Sequence, residues 1–479
     1  MDDTATSFRP AGALDVATAL QAYSGRFDER AAAHLLRRAG FGGTPDEIKR
    51  LAAGSMHQAV DALIAFPASD PLPAAPDGLP DDAGAMLGML SADAKKERRR
   101  IDREAILATQ QWWLDRMLAT SAPLQEKMTL FWHGHFTTAA IQKGVSPREV
   151  VAQNALFRAS ALGDVRELTR SVSYDPAMLK YLDNVRNDRS HPNENYAREL
   201  MELFTLGIGN YTESDVREGA QAWTGIRIRR ASDEVFVNPR LHDDGRKTFL
   251  GRSGNFDGND VVDIIFQQPA AARYFAYKVL NFFVYNDPEP ELIDATAALL
   301  RKNDFQMRPV MSTLLRSNVF YSPRAYRALV KSPVEFVVGT YRLFGVERST
   351  PETLAALRRM GQVLFYPPNV KGWPGGSAWL NSSTVLAREN FANSVMTSQT
   401  VAAAGWLLGG GPGNPAASAR AVVDNILQGD ASQAAVAHLE SFLGGDGTAA
   451  LRELSGENFD QRMRGAAYLA MAMPAYQLA

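Results

Sequence analysis

Three segments of this chain begin with the same four-residue device, and it constrains the fold more tightly than any other feature. Thr44-Pro45-Asp46-Glu47, Ser146-Pro147-Arg148-Glu149 and Ser332-Pro333-Val334-Glu335 each set a hydroxyl, then a proline, then a glutamate. The hydroxyl accepts from the free N–H groups of a helix's first turn, proline presets φ at the first helical position, and the glutamate reaches back to the cap. Asp175-Pro176 and Thr350-Pro351 are looser versions of the same start. Apolar residues at helical spacing follow each one. The expectation is a mainly α protein, a large multi-helix globular body with at most a small β-hairpin near 226–237. There Ile226-Arg227-Ile228-Arg229 alternates and Val235-Phe236-Val237 follows a polar turn. The longer helices are expected over 92–119, 123–133, 147–162, 194–206, 270–285 and 383–404, with a last group over 418–428, 431–443 and 460–472.

Punctuation along the chain suggests its organisation. Residues 67–86 carry five prolines and read as an exposed excursion from a main helical domain over 27–407. Residues 1–26 read as an N-terminal extension. The stretch 408–417, LGGGPGNPAA, separates a C-terminal helical segment over 418–479. The densest basic run, 95–103, precedes Ile106, Trp113 and Met117 on one helical face. It reads as the solvated side of a long amphipathic helix, with a patch for an acidic partner as the alternative.

Composition removes several function classes. Lys plus Arg is 51 against 53 Asp plus Glu, a balance that argues against a nucleic-acid binder. With no cysteine, there is no disulfide, thiolate nucleophile, iron–sulfur cluster or Cys-ligated zinc. No stretch reaches the roughly 18 uninterrupted apolar residues of a membrane span. The acidic start, MDDTATSF, lacks the apolar core of a signal peptide. The expected compartment is therefore the cytoplasm, or outside it if a leader is missing from this chain. No Walker loop, GxSxG or dinucleotide fingerprint occurs, so no nucleotide cofactor is expected.

Four segments carry the groups that chemistry needs. His133 and His135 sit in Phe131-Trp132-His133-Gly134-His135-Phe136 at the end of the 123–133 helix. With Gly134 permitting a turn, the two rings point the same way and form half a metal site; the alternative is two histidines bonded to loop backbone in an aromatic cluster. On the 194–206 helix, Asn195, Arg198, Glu199 and Glu202 fall at i, i+3, i+4 and i+7, one polar stripe that is either solvated or turned inward. His242-Asp243-Asp244-Gly245-Arg246-Lys247 is a polar turn with ligand-type side chains. The 365–379 loop holds Lys371, Trp373 and Trp379 among prolines and glycines, either to meet an anion and stack on a flat ligand or to plug the core.

These strings, taken together, resemble one bacterial family. HLLRRAGFG (34–42), LFWHGHF (130–136), NENYARELMELFTLG (193–207), YTESDVREGAQAWTG (211–225), HDDGRKTFLG (242–251), VKSPVEFVVG (330–339) and PPNVKGWPGGSAWLNSS (367–383) resemble domain-of-unknown-function family 1800 over about residues 30–400. Gly134 departs from the polar residue that the family tends to place between the histidines. The resemblance implies no established activity. It implies a neighbouring gene for a sulfatase-like protein, and frequent export.

The combined expectation is an enzyme whose site assembles from the four segments. A divalent metal (zinc, manganese or iron) would be held by His133, His135, His242 and Glu199. Glu202 would act as general base, with Arg198 and Lys371 on an anionic group and Asn195, Trp373 and Trp379 on the substrate. The reaction would be metal-assisted hydrolysis or group transfer on a glycan or phosphorylated substrate. The alternative is a non-enzymatic helical scaffold or binding partner of the sulfatase-like protein. Oligomeric state is not legible in the sequence.

Overall fold

The computed structural model describes residues 16–67, 73–80, 91–229, 232–398, 401, 414–444 and 456–479. All three capping boxes form. Thr44 Oγ1 accepts from the Glu47 N–H at 3.2 Å, and Glu47 accepts from the Thr44 N–H at 2.8 Å. The matching distances are 3.2 and 2.8 Å for Ser146 and Glu149, and 3.3 and 2.6 Å for Ser332 and Glu335. They open the helices Pro45–Ala52, Pro147–Ala159 and Pro333–Leu343. The chain is mainly helical, as its cap signals require. Among the described residues, sheet is confined to two short antiparallel hairpins. The expected one pairs Ile226–Ile228 with Val235–Val237, and a second pairs Lys247–Phe249 with Arg252–Gly254.

One apolar cluster runs from Ala19 to Tyr476, and aromatic side chains give it most of its area. Trp113 and Trp132 are fully buried and keep their indole N–H groups partnered, to Glu126 at 2.9 Å and to the Ala161 carbonyl at 3.2 Å. Glu126 is itself buried and is held by Arg158 at 2.6 and 3.0 Å. The helices Pro415–Val422, Gln433–Gly444 and Gly456–Ala472 contribute Val422, Leu443, Met463 and Ala467 to the same cluster. The proline-rich excursion, the glycine-rich connector and the start of the N-terminal extension lie largely outside the described residues.

The basic run lies on the 28-residue helix Ala92–Ala119. Arg98 pairs with Asp102 at 2.9 Å, and Arg100 bridges Glu97 and Glu104, each at 2.6 Å. These are neighbours one turn apart. Ile106, Trp113 and Met117 take the buried face. Among the described residues no helix is long and apolar enough to cross a membrane.

Candidate functional site

The helix carrying the paired histidines continues through Gly134 and spans Pro123–His135. That corrects the expected turn and its consequence. Two residues apart on a helix are about 200° apart in direction, so the rings diverge. His133 packs among Trp113, Phe365 and Trp373, with ring centroids at 5.3, 5.3 and 5.5 Å. Its Nε2 accepts from the Phe365 N–H at 3.1 Å, which assigns its proton to Nδ1. His135 lies on the other side among Phe131, Phe136 and Phe275. Its Nε2 donates to the Phe204 carbonyl at 2.8 Å, so its Nδ1 is a lone-pair acceptor. That Nδ1 is buried and has no hydrogen-bond partner.

Both rings are held neutral. Burial pushes His133 down to about 3. Burial, then the Lys278 ammonium, pushes His135 well below the ordinary histidine range.

His133 has a mechanical task. Phe365 adopts φ +60°, a left-handed conformation rare for a bulky side chain, and the His133 ring pins its N–H. The loop then runs over the helix end, where Gly372 at φ +82° would place a Cβ 2.5 Å from the Gly134 carbonyl oxygen. Thr137 donates from its hydroxyl to the Val370 carbonyl and fixes the loop's middle.

A stability prediction follows from His133. Its folded pKa of about 3 lies below the roughly 6.5 of a free histidine, so the unfolded chain takes up the proton first. The stabilisation is complete above about pH 6.5 and is lost as pH falls toward 3. Between pH 6 and 4, urea unfolding of wild type should lose about 1 kcal/mol per pH unit more than His133→Gln, which keeps an acceptor without the titration. Parallel pH profiles would show that His133 is not the titrating group.

The metal set does not assemble. His242 is tied to the hairpin, its Nδ1 2.9 Å from the Thr224 carbonyl oxygen, and His133 and His135 face opposite sides with a nitrogen each committed to backbone. Among the described residues no group of three or more His, Asp or Glu could hold a metal ion.

The polar stripe of the 194–206 helix is also broken up. Glu194–Glu199 is α-helical, but Leu200–Thr205 is a π turn, and one wide turn rotates everything beyond it. Asn195 Nδ2 donates to the Leu182 carbonyl at 3.1 Å. Arg198 is spent on Glu213 at 2.7 and 2.8 Å and on Glu194 at 3.1 Å. Glu202 accepts from the Tyr211 hydroxyl at 2.7 Å. Asn195 and Arg198 therefore fix local structure and do not present themselves to a substrate. The Glu199 carboxylate makes no hydrogen bond among the described residues and is half-buried. Burial, with Glu202 beside it, raises its carboxyl against the pull of Arg198 and Lys371.

Two of the four segments do meet. The end of the Pro123–His135 helix and the tryptophan loop enclose a cleft of about 290 Å³, near the lower end for small-molecule sites. His135, Lys371, Trp373 and Trp379 border it. Trp379 is a buried part of the wall, whereas Trp373 is half-exposed with one face on His133.

The third wall was missed by sequence reasoning. It is the helix Pro269–Phe283, which supplies Tyr277, Lys278 and Asn281. Lys278 is a cation inside the run Tyr274-Phe275-Ala276-Tyr277-Lys278-Val279-Leu280, and that placement was the available signal. Its ammonium lies 5.7 Å from the Tyr274 ring centroid, and it has no acidic partner among the described residues. Burial alone pushes it below the ordinary lysine range.

A larger groove of about 1050 Å³ runs past Arg26, Glu29, Lys49 and Asp424. Its charges of both signs stand in solvent and single out no ligand. The smaller cleft is the candidate because it combines an unmatched cation with an unmatched acceptor.

A family model described as protein of unknown function (DUF1800) covers residues 34–478. No curated protein and no solved structure matches the chain.

Proposed function

The chain belongs to the DUF1800 family, whose function is unknown, and from that premise we propose that the cleft binds a small hydroxylated anion of the sugar-phosphate kind for hydrolysis or group transfer. The observation that carries this reading is Lys278, a lysine desolvated in a cleft wall with no carboxylate paired to it; Glu335, the carboxylate that borders the cleft, is engaged by Lys127. Such a charge is costly unless a ligand supplies the counter-charge. Lys371, exposed on the opposite loop, adds a second cation. His135 Nδ1 is a buried acceptor waiting for a donor, which a sugar hydroxyl provides. Trp373 offers a flat apolar surface for the ring. Glu199, its carboxyl raised and close enough to Lys371 to feel its charge, lies outside the residues that border the cleft, so this reading gives it no contact with the ligand.

The test is calorimetric titration with glucose 6-phosphate and with glucose. The phosphorylated sugar should bind at least about tenfold more tightly, the worth of one charge-assisted contact. Its affinity should fall as pH rises through the depressed pKa of Lys278, at a lower pH than the roughly 10.4 of an ordinary lysine. Equal affinities for the two sugars, or heat from neither, would defeat the proposal and favour a non-enzymatic scaffold.

A further inference from the structure

Of the sequence strings, HLLRRAGFG at 34–42 lies outside the cleft, and VKSPVEFVVG at 330–339 borders it only through Val330, Ser332 and Glu335. The fold brings them together elsewhere. Gly339 comes so close to Phe41 that a Cβ there would lie 2.6 Å from the Phe41 carbonyl oxygen. Beside this contact is a cavity of about 30 Å³, bordered by Arg37, Arg327, Lys331, Glu335, Gln428 and Tyr476, among others.

The charges around it do not balance. Arg37 is 4% exposed; one terminal nitrogen donates to Gln428, while Nε and the other terminal nitrogen are buried without any hydrogen-bond partner. Lys331 rests 4.1 Å from the centre of the Tyr476 ring and has no ion-pair partner among the described residues. Arg327 is engaged by Asp430 at 2.7 Å. Glu335, the one carboxylate bordering the cavity, is engaged by Lys127 and by the Ser332 N–H. Burial, followed by the Arg327 and Arg37 guanidiniums, pushes the Lys331 ammonium well below its usual range. Asp430, whose charge Arg37 also feels, is held by Arg327, so two cations face a half-open recess with no carboxylate paired to either.

A buried guanidinium with idle N–H groups is expensive, and native interiors satisfy such groups with protein, water or a ligand. The recess takes about two or three waters, and because it is open on one side it can take one compact tetrahedral ion with part of that ion in solvent. It is too small for a nucleotide or a sugar. We propose that this cavity is a structural site for a single tetrahedral oxyanion, phosphate or sulfate, held by Arg37 and Lys331. The planar guanidinium offers two parallel donors to such an ion, and the lysine adds a point charge opposite. The site joins the 29–39 helix, the 329–335 segment and Gln428 of the C-terminal helices, so the ion fastens three distant parts of the chain.

The experiment must separate this site from the cleft. The full-length Lys278→Met/Lys371→Met double variant, which lacks the cleft's two cations, is titrated at low ionic strength with inorganic phosphate, with sulfate, and with chloride as control. One phosphate or sulfate should bind per chain, with Kd below about 1 mM, and should raise the unfolding midpoint above that in chloride of matched ionic strength. Adding Lys331→Met should weaken the ion at least about tenfold, as should adding Arg37→Gln. Lys331→Met removes an uncompensated buried charge, so it reports on the site without loss of the fold.

Two results would overturn the proposal. In one, phosphate and sulfate shift the midpoint no more than chloride does and release no heat. In the other, wild type binds phosphate, Arg37→Gln alone keeps it and the cleft double variant loses it. That second outcome puts the ion in the cleft and leaves the proposed function standing.

Discussion

Replacing Lys278 with methionine should weaken glucose 6-phosphate binding about 100-fold, or roughly 2.7 kcal/mol, and should at the same time raise the unfolding midpoint. The two effects share one cause. The lysine's ammonium lies 5.7 Å from the Tyr274 ring centroid in the cleft wall, and methionine replaces its stem with little loss of packing. What disappears is an ammonium with no carboxylate paired to it in the free protein. Its removal relieves a desolvation cost, for a gain of roughly 1 kcal/mol typical of functional-site residues. The same removal deprives a bound phosphoryl group of its most desolvated contact, where truncating a charge partner costs about 2–5 kcal/mol. Lys371→Met should cost less than about tenfold, because that lysine is exposed and screened. Urea unfolding and titration of the same two variants check this. If Lys278→Met unfolds earlier than wild type, its ammonium is a structural group whose partner lies within the protein.

The largest stability effect should come from Glu335. Its carboxylate closes the Ser332 capping box at 2.6 Å and pairs with Lys127, whose side chain is 1% exposed. Lys127 also donates to the Gly40 carbonyl at 2.9 Å. Burial works to raise the Glu335 carboxyl, but the Lys127 ammonium and the Ser332 donors hold it below its ordinary value. Glu335→Ala strands the lysine charge in the core and removes the cap. Breaking a buried pair from one side costs about 3–5 kcal/mol, and a lost cap about 1 more. Lys127→Met/Glu335→Leu should recover most of the pair's share, since replacing both partners with apolar groups is often close to neutral. Urea midpoints on the two variants measure both numbers. A loss under about 1 kcal/mol in Glu335→Ala would mean that water already reaches Lys127.

The helices were legible because their starts are local. A serine and a glutamate three residues on make the same two hydrogen bonds wherever the segment sits, and Ser146, Ser332 and Thr44 all do so. What failed was direction. Gly134 disfavours a helix interior by about 1 kcal/mol, yet the helix runs on to His135 because burying that ring among Phe131, Phe136 and Phe275 outweighs the cost. That single extension sends the histidines apart and removes the metal set. The π turn at Leu200–Thr205 does the same to the acidic stripe, since its wide turn follows from packing that no spacing rule contains. The hairpin Lys247–Phe249 with Arg252–Gly254 gives no strand signal, because Lys-Thr-Phe and Arg-Ser-Gly lack the alternating apolar residues of Ile226-Arg227-Ile228.

The site was half legible for the same reason. Lys371 and Trp373 stand in a loop too elaborate to be a mere connector, and they reach the cleft. Lys278 is one basic residue in an aromatic helix, and nothing in its neighbours along the chain says that no acid will face it. The Arg37 and Lys331 cluster is invisible for the same reason, because an imbalance of charge exists only once segments 294 residues apart have been packed together.

The claim on which the account rests is that Lys278 and the tryptophan loop form one ligand site, and a crystal structure of wild type soaked in glucose 6-phosphate tests it most directly. The expected density places the phosphoryl oxygens on Lys278 and Lys371, the sugar against Trp373, and a hydroxyl on His135 Nδ1. A cleft left empty while the compound binds elsewhere on the molecule, or Lys278 found paired to a protein carboxylate, would contradict it.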